Sequence, residues 1–258
     1  MTEKNLKFYQ LPIKERIAFL KDKGLLSSDE LAALSGAAGL SADQADHMIE
    51  NVIGFFSLPL GVAQHFMVNG REVLVPMAIE EPSVVAAASF MAKLVRTGGG
   101  FTASAHAPEM IGQIQVLDIE DIDQAIKDLE SEKAQLINSA RGIDPLLEKL
   151  GGGARNIIFR KITRSPIGPF LVIHMVMDVR DAMGANTVNT ALERLTPLVE
   201  KITGGRVLLR ILSNLADRRL AKAHCTIPVE ELAFNEYSGE MVRDRIIEAW
   251  AFAAVDPY

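Results

Sequence analysis

Asp181-Ala182-Met183-Gly184-Ala185-Asn186 is a run of small residues between an apolar stretch, Phe170-Leu171-Val172-Ile173-His174-Met175-Val176-Met177, and a helical pattern that starts near Thr187. A glycine-containing turn between a strand and a helix presents backbone N–H groups to an anion, and the helix dipole favours negative charge there. The chemistry this placement suggests is phosphate recognition, as in a nucleotide cofactor, although the run is not a G-x-G-x-x-G fingerprint. On spacing alone a second reading stands beside it, a plain strand-to-helix connection with Asn186 as N-cap.

Two adjacent carboxylates, Glu80 and Glu81, stand before Pro82-Ser83 at the predicted start of a helix. Negative charge is favoured at a helix N-terminus, so dipole capping accounts for the pair. Proton transfer is the other reading, and it meets a physical obstacle. A helix N-terminus lowers a carboxyl pKa, whereas a general acid near neutral pH needs it raised. His47, His65, His106, His174 and His224 are scattered with no H-x-x-x-H pair, which argues against a zinc site and predicts no bound metal. His174 lies in a buried strand pattern and reads as a hydrogen-bonded core residue. The lone Cys225 reads as a small packed side chain. Gly151-Gly152-Gly153 reads as a flexible connection, since no Lys-Ser/Thr follows as a P-loop requires.

These residues need elements to hold them. Residues 1–58 read as helical, with capping-box patterns at Ser27-Ser28-Asp29-Glu30 and Ser41-Ala42-Asp43-Gln44. The second is predicted to open a helix carrying Met48-Ile49-Glu50-Asn51-Val52-Ile53-Gly54. Residues 62–68 and 71–78 flank Asn69-Gly70, the dipeptide suited to a type I′ hairpin turn. Pro82 starts a helix with its body at 84–95, whose alanines predict a central packing position. Then come a strand at 113–119, a helix at 120–140, and strands at 156–163 and 170–178. A helix at 187–203 follows, kinked at Pro197 and stopped by Gly204-Gly205, with a last strand at 206–213. The order βαββαβ is the split ferredoxin-like unit. Residues 217–258 return to a helical pattern, with a helix at 239–253. A βαββαβ module between helix-rich segments predicts an insertion in a larger domain of α+β class.

The 258 residues allow one large domain or two ordinary ones, and 48% hydrophobic with 23% charged residues is a globular balance. The longest apolar run, 170–177, suits a buried strand and is too short for a membrane span. Met1-Thr2-Glu3-Lys4-Asn5-Leu6-Lys7 lacks the apolar centre of a signal peptide. With a single cysteine, this predicts a cytoplasmic protein that does not act at a membrane. A net charge of −6 and the lack of a basic stripe argue against a nucleic-acid partner.

Four runs, taken in order and spacing, resemble the 3-hydroxy-3-methylglutaryl-coenzyme A reductase family. They are Glu50-Asn51-Val52-Ile53-Gly54, Val75-Pro76-Met77-Ala78-Ile79-Glu80-Glu81-Pro82-Ser83, Asp181-Ala182-Met183-Gly184-Ala185-Asn186-Thr187-Val188-Asn189 and Leu212-Ser213-Asn214-Leu215-Ala216-Asp217. The likeness runs from about Phe8 to the end and is nearest to the soluble class II bacterial members. It implies an oxidoreductase of isoprenoid metabolism that interconverts hydroxymethylglutaryl-coenzyme A with mevalonate and coenzyme A, using two nicotinamide cofactors in a four-electron change. It implies a helix-rich coenzyme A-binding large domain at 1–108, an inserted ferredoxin-like cofactor domain at 109–216 and a return segment at 217–258. It also implies a homodimer or higher homo-oligomer with the active site at a subunit interface.

Residue by residue, the resemblance makes Glu81 the catalytic proton donor and Ser83 a contact for the hydroxymethylglutaryl group. Asp181, Ala182, Met183, Gly184, Ala185, Asn186, Thr187 and Val188 match the dinucleotide loop, and Asn214 matches a position near the nicotinamide. Asp144 falls where NADH-preferring members carry an aspartate. A carboxylate there accepts from a ribose 2′-OH and repels a 2′-phosphate, so NAD, with NADH favoured over NADPH, is the expected cofactor. Family members continue past the position of Tyr258 and carry a lysine in His-Asn-Lys-Gly, an aspartate in Gly-Asn-Asp and a late histidine. Neither run occurs here, and Leu220-Ala221-Lys222-Ala223-His224-Cys225 is no substitute. The expectation is therefore a truncated chain with little turnover alone, completed by a separate C-terminal polypeptide or else retained as a non-enzymatic nucleotide- or partner-binding protein.

Overall fold

The computed structural model describes residues 7–34, 39–256 and 258. Residues 1–6 of the segment read for a signal peptide, residues 35–38 of the predicted helical region, and Pro257 lie outside that description. The chain divides into two units, Met1–Pro59 and Leu60–Tyr258.

In the first unit, α1 (Ile13–Asp22), α2 (Ser28–Leu34) and α3 (Ala42–Asp46) follow one another. Both capping boxes form. Glu30 N–H donates to Ser27 Oγ at 3.3 Å while Ser27 N–H donates to the Glu30 carboxylate at 2.6 Å. Gln44 N–H and Ser41 N–H make the equivalent pair at 3.2 and 3.0 Å. The helix expected through Met48 and Gly54 does not form. His47 Nδ1 lies 2.6 Å from the Asp43 carbonyl oxygen, and Asn51 adopts a left-handed φ of 57°. A side chain that engages the last-turn carbonyls competes with further helix.

The second unit opens with β1 (Leu60–Val68) and β2 (Arg71–Ala78), an antiparallel pair. Asn69 and Gly70 both have positive φ, 50° and 76°, as a type I′ turn requires. The Asn69 amide reaches on to the backbone of Ala103 in β3 (Thr102–Ala105), donating at 3.0 Å and accepting at 2.9 Å. α4 (Val84–Thr97) lies on β1 and buries Ala92 and Val95, but it leaves Phe90 and Met91 exposed. It is a one-sided cover and not the central helix its alanines suggested. β3 pairs with β8 (Ala221–His224), in a segment expected to be helical. These four-residue strands, Thr-Ala-Ser-Ala and Ala-Lys-Ala-His, do alternate, but they are short and their only apolar residue is alanine, too weak a pattern to be read locally. Cys225 follows β8 and is exposed, not packed. α9 (Gly239–Val255), capped by Ser238, ends the unit.

Between these pieces lies a four-stranded antiparallel sheet of β4 (Glu109–Leu117), β5 (Gly153–Ile162), β6 (Phe170–Asp178) and β7 (Arg206–Leu212), in the order β5-β6-β4-β7. α5 (Ile122–Ser131), α6 (Lys133–Ser139), α7 (Pro145–Lys149) and α8 (Ala185–Thr203) accompany it. The helix predicted over 120–140 is broken at Glu132, next to a Ser131 hydroxyl that donates to the Asp128 carbonyl at 2.7 Å. α8 instead runs unbroken through Pro197, with Thr196 Oγ1 donating to the Leu192 carbonyl at 3.0 Å, and stops at left-handed Gly204. The core joins Ile114, Val116, Ile157, Leu171, Ile173 and Met175 of the sheet to Leu129, Leu136, Leu192 and Leu195 of the helices. α8 approaches β4 at Gly112, where a Cβ would stand 2.6 Å from Val188 and 2.9 Å from Leu192. Among the described residues no helix is long and apolar enough to cross a membrane.

Candidate active site

Sheet geometry places the Asp181–Asn186 run. β6 ends at Asp178, whose neighbours across the sheet are Glu109 at the start of β4 and Gly153 at the start of β5. Val179 N–H donates to the Pro108 carbonyl at 2.9 Å, and Ala182 N–H closes a turn onto the Val179 carbonyl at 3.1 Å. Gly184 has φ 91°, and a Cβ there would lie 2.5 Å from the Val179 side chain, so the turn needs glycine twice over. α8 begins at Ala185 with Gly184 as N-cap. Asn186 is therefore inside the helix, and the reading of it as N-cap fails. The first-turn amides of a helix have no intrahelical acceptor, which leaves those of Ala185, Asn186 and Thr187 for an outside partner.

Three ties fix this loop. Asp178, buried, accepts from the Arg155 guanidinium at 3.0 Å and pairs with that of Arg180 at 3.2 Å, while its other oxygen accepts from Arg180 N–H at 3.0 Å. Both guanidiniums also donate to the Gly151 carbonyl. The glycine triplet is thus a fastened corner that leads from α7 into β5, not a flexible connection. The second tie is Arg219, whose two terminal nitrogens donate to the Ala182 carbonyl at 2.6 Å and the Arg180 carbonyl at 3.1 Å. The third is Asp144. It caps α7 by accepting from Leu147 N–H at 2.9 Å, and its second oxygen accepts from Thr187 Oγ1 at 3.3 Å. Asp144 and the loop, distant in sequence, are one hydrogen bond apart.

Asn214 arrives on a strap anchored at both ends. Leu212 N–H donates to Asn189 Oδ1 of α8 at 2.9 Å, and Ser213 N–H to the Ile111 carbonyl at 2.7 Å. Arg218 pairs with Glu109 at 3.3 Å, and Arg219 then reaches the loop. Asp181, Ala182, Met183, Asn186 and Asn214 are exposed, and Gly184, Ala185 and Thr187 are half-buried. Val188 is different. Its side chain is fully buried against Gly112, so it seats α8 and has no accessible surface to offer a cofactor.

Glu81 and Ser83 form a second locus, before α4. The helix begins at Val84, so Pro82 lies outside it and no acidic residue occupies its first turn. The capping explanation of Glu80 and Glu81 loses its basis, because neither sits where capping acts. Ser83 is the N-cap position but adopts a left-handed φ of 73° and makes no side-chain cap bond. Such a non-glycine conformation costs about 1–3 kcal/mol. Glu81 is exposed and has no hydrogen-bond or ion-pair partner among the described residues. No hydrogen bond joins Glu81 or Ser83 to the loop at 180–187 among those residues.

His174 is half-buried on β6, its Nε2 3.5 Å from Gln113 Nε2. Burial, then the Arg160 and Arg218 charges, push its pKa below the ordinary value, and Asp217 opposes them. Its place in the sheet agrees with a structural role. Arg155, Asp178, Arg180 and Arg219 are the residues that sequence reasoning passed over. The run Asp178-Val179-Arg180-Asp181 carried a signal, since three charges follow an eight-residue apolar strand directly.

A nicotinamide dinucleotide fits the donors present: unpaired first-turn amides for a diphosphate, a carboxylate beside them for a ribose hydroxyl, and a buried Arg180 Nε with no partner of its own. Comparison with known proteins then places the chain among relatives. Against relatives, the chain is 46% identical to a 3-hydroxy-3-methylglutaryl-coenzyme A reductase of Archaeoglobus fulgidus, over 97% of its own length and 56% of the relative's. It is 32% identical to a probable reductase of the same name from Borreliella burgdorferi, over 72% of its length and 42% of that protein's. It therefore spans about half the length of these relatives. It also superposes on a reductase of Streptococcus pneumoniae with a TM-score of 0.90 and 39% identity, covering 97% of this chain and 67% of that one. A class II structure from the same organism, described as bound to NADPH in open conformations, matches equally, with 68% of that chain covered. The sequence model of the family described as hydroxymethylglutaryl-coenzyme A reductase matches residues 12–258, more than half of the chain, and the chain belongs to that family.

Proposed function

We propose that this chain carries the dinucleotide-binding apparatus and the proton donor of an NADH-preferring hydroxymethylglutaryl-coenzyme A reductase. The reaction is the interconversion of hydroxymethylglutaryl-coenzyme A with mevalonate and coenzyme A, with two nicotinamide cofactors used in turn. One observation carries the reading: the Asp144 carboxylate meets Thr187 at the start of α8, so the group expected at the cofactor's ribose stands beside the loop expected at its diphosphate. The strand order β5-β6-β4-β7 supports taking 109–216 as a ferredoxin-like cofactor domain, inserted between large-domain segments 1–108 and 217–258.

When bound, the cofactor supplies hydride to the carbonyl carbon. The chain's own part is to hold and orient it through the amides of 185–187, Asp144 and Asn214, and to deliver a proton to the carbonyl oxygen from Glu81. Ser83, strained and uncapped, is read as a contact for the hydroxymethylglutaryl group. NADH is favoured because Asp144 presents its carboxyl group beside the loop at Thr187; the pneumococcal relative bound to NADPH makes this the sharpest point to test. A cytoplasmic homodimer agrees with a lone cysteine and with the apolar residues left open on α9.

The His-Asn-Lys-Gly and Gly-Asn-Asp runs are not among these 258 residues, so residues 1–258 taken alone are expected to bind cofactor with little turnover. The contrast between a well-tied loop and an unpartnered Glu81 favours one second reading, a nucleotide- or partner-binding protein without catalysis. Titrating the chain with NADH, then assaying NADH oxidation with hydroxymethylglutaryl-coenzyme A, separates them. Micromolar binding supports both, and turnover restored by a polypeptide carrying the His-Asn-Lys-Gly segment supports the enzyme. No NADH binding at millimolar concentration sinks both.

A further inference from the structure

We infer that Arg219 is a positioning residue for the cofactor, one that aims two loop amides at its diphosphate; the inference rests on the dinucleotide reading above. The guanidinium is a rigid planar fork, and here its two terminal nitrogens take the carbonyls of Arg180 and Ala182, 3.1 and 2.6 Å away. A trans peptide sets the following N–H opposite to its C=O. Drawing the carbonyls of 180 and 182 toward Arg219 therefore turns the N–H groups of Asp181 and Met183 away from it, to the other side of the loop. Those two N–H groups form no hydrogen bond among the described residues, whereas Ala182 N–H, between them, is used by the turn onto Val179. The result is a pair of free donors, fixed in direction, adjoining the open amides at the start of α8.

The loop would not hold this shape unaided. Arg180 sits at φ 52°, left-handed for a non-glycine residue, and its side chain is occupied by Asp178 and Gly151. Arg219 fastens the backbone of that strained residue from the other side. It also lies at the end of the strap that carries Asn214, whose start is tied to α8 through Asn189. One side chain thus sets the loop's donors and the register of Asn214 against them.

The test is NADH titration of the full chain as wild type, Arg219→Ala and Arg219→Lys, with hydrogen exchange at the Asp181 and Met183 amides. Arg219→Ala is expected to weaken NADH binding about tenfold or more, the size of one charge-assisted hydrogen bond lost from a preorganised site. Arg219→Lys recovers only part, since an ammonium is a point donor and not a fork. Added guanidinium restores affinity to Arg219→Ala, and NADH protects the two amides in wild type but not in that variant. Arg219→Ala binding within twofold of wild type overturns the inference. So does a loss that follows only the unfolded fraction and is not rescued by guanidinium. Wild type that fails to bind NADH sinks the dinucleotide reading instead. In that case exchange at the two amides still decides for Arg219: unchanged rates in Arg219→Ala remove its positioning role.

Discussion

The loop at 180–187 and the segment at 80–83 are the two loci of the proposed reductase chemistry, yet they are built in opposite ways. The loop is fixed by Asp178, Arg219 and Asp144 and rests on a core where Leu192 and Ile173 are essentially inaccessible. Glu81 and Ser83 sit on the surface without a side-chain partner among the described residues, at the mouth of a helix that is buried on one side only. The same contrast runs through the packing. The four-stranded unit closes its own core, while α9 leaves Ile246, Ile247, Trp250 and Phe252 exposed. The locus proposed to hold the cofactor is thus tied in place, and the one proposed to deliver a proton is not.

The largest expected effect tests that contrast in stability. Leu192→Ala, at a fully buried position under β4, should cost about 2–5 kcal/mol and carry NADH binding down with the fold. Trp250→Ala, at a position 68% exposed, should change stability by less than about 0.5 kcal/mol while reducing self-association. Urea unfolding and sedimentation of both variants check this. Equal losses would show that α9 is as integral as the sheet. Limited proteolysis offers a parallel view: a resistant fragment is expected around 109–216, and uniform resistance from residue 60 onward would contradict it.

How far the sequence carried this picture follows from the range of the forces. Elements set by local periodicity, such as β6, α8 and the Asn69-Gly70 hairpin, were legible because their apolar spacing and turn residues decide them within a few positions. The βαββαβ order followed directly. β3 and β8 were not legible, because each finds its pairing strand more than a hundred residues away. The break at Glu132 coincides with a Ser131 hydroxyl bonded to the Asp128 carbonyl, a detail no hydrophobic pattern records. At the site, the loop's residues were legible by type, and their assignment came from the family resemblance. The residues that shape the loop were not: Arg155 and Arg219 stand in no local pattern that marks them, and the charges at 178–181 give no partner. Val188, counted with the loop, proved to be the first core residue behind it.

Next in size is an effect on cofactor choice. Asp144→Asn keeps an oxygen to accept from Leu147 N–H and so keeps the α7 cap, but removes the negative charge beside Thr187. The ratio of NADPH to NADH affinity should rise about tenfold, the consequence of removing roughly 1.4 kcal/mol of like-charge repulsion. An unchanged ratio would place the 2′ position elsewhere. Glu81→Gln sharpens the comparison from the other locus. It should leave NADH affinity within about twofold, because Glu81 has no tie to the loop, while any turnover with hydroxymethylglutaryl-coenzyme A falls about a hundredfold. A matching loss of NADH affinity would couple two loci that share no hydrogen bond among the described residues.

The smallest effect concerns the sheet beneath the loop and is one of pH. Burial first, and then Arg160 and Arg218, hold His174 below its ordinary pKa, with Asp217 acting against them. In the unfolded chain that value is about 6.5. Just below it the unfolded chain binds more protons than the folded one, so stability rises with pH through that window. The contribution is fully present above about pH 6.5 and is lost as pH falls toward the folded value. His174→Gln removes the titration while leaving an amide for Gln113. Urea unfolding of wild type should therefore weaken more between about pH 7 and pH 5.5 than that of the variant. Glu30 and Asp121, whose pKa values are lowered by local hydrogen bonds, act only below the ordinary carboxylate range and do not overlap this window. Equal slopes in wild type and variant would show that His174 titrates as it does in the unfolded chain, and that the face of the sheet behind the loop is open to water.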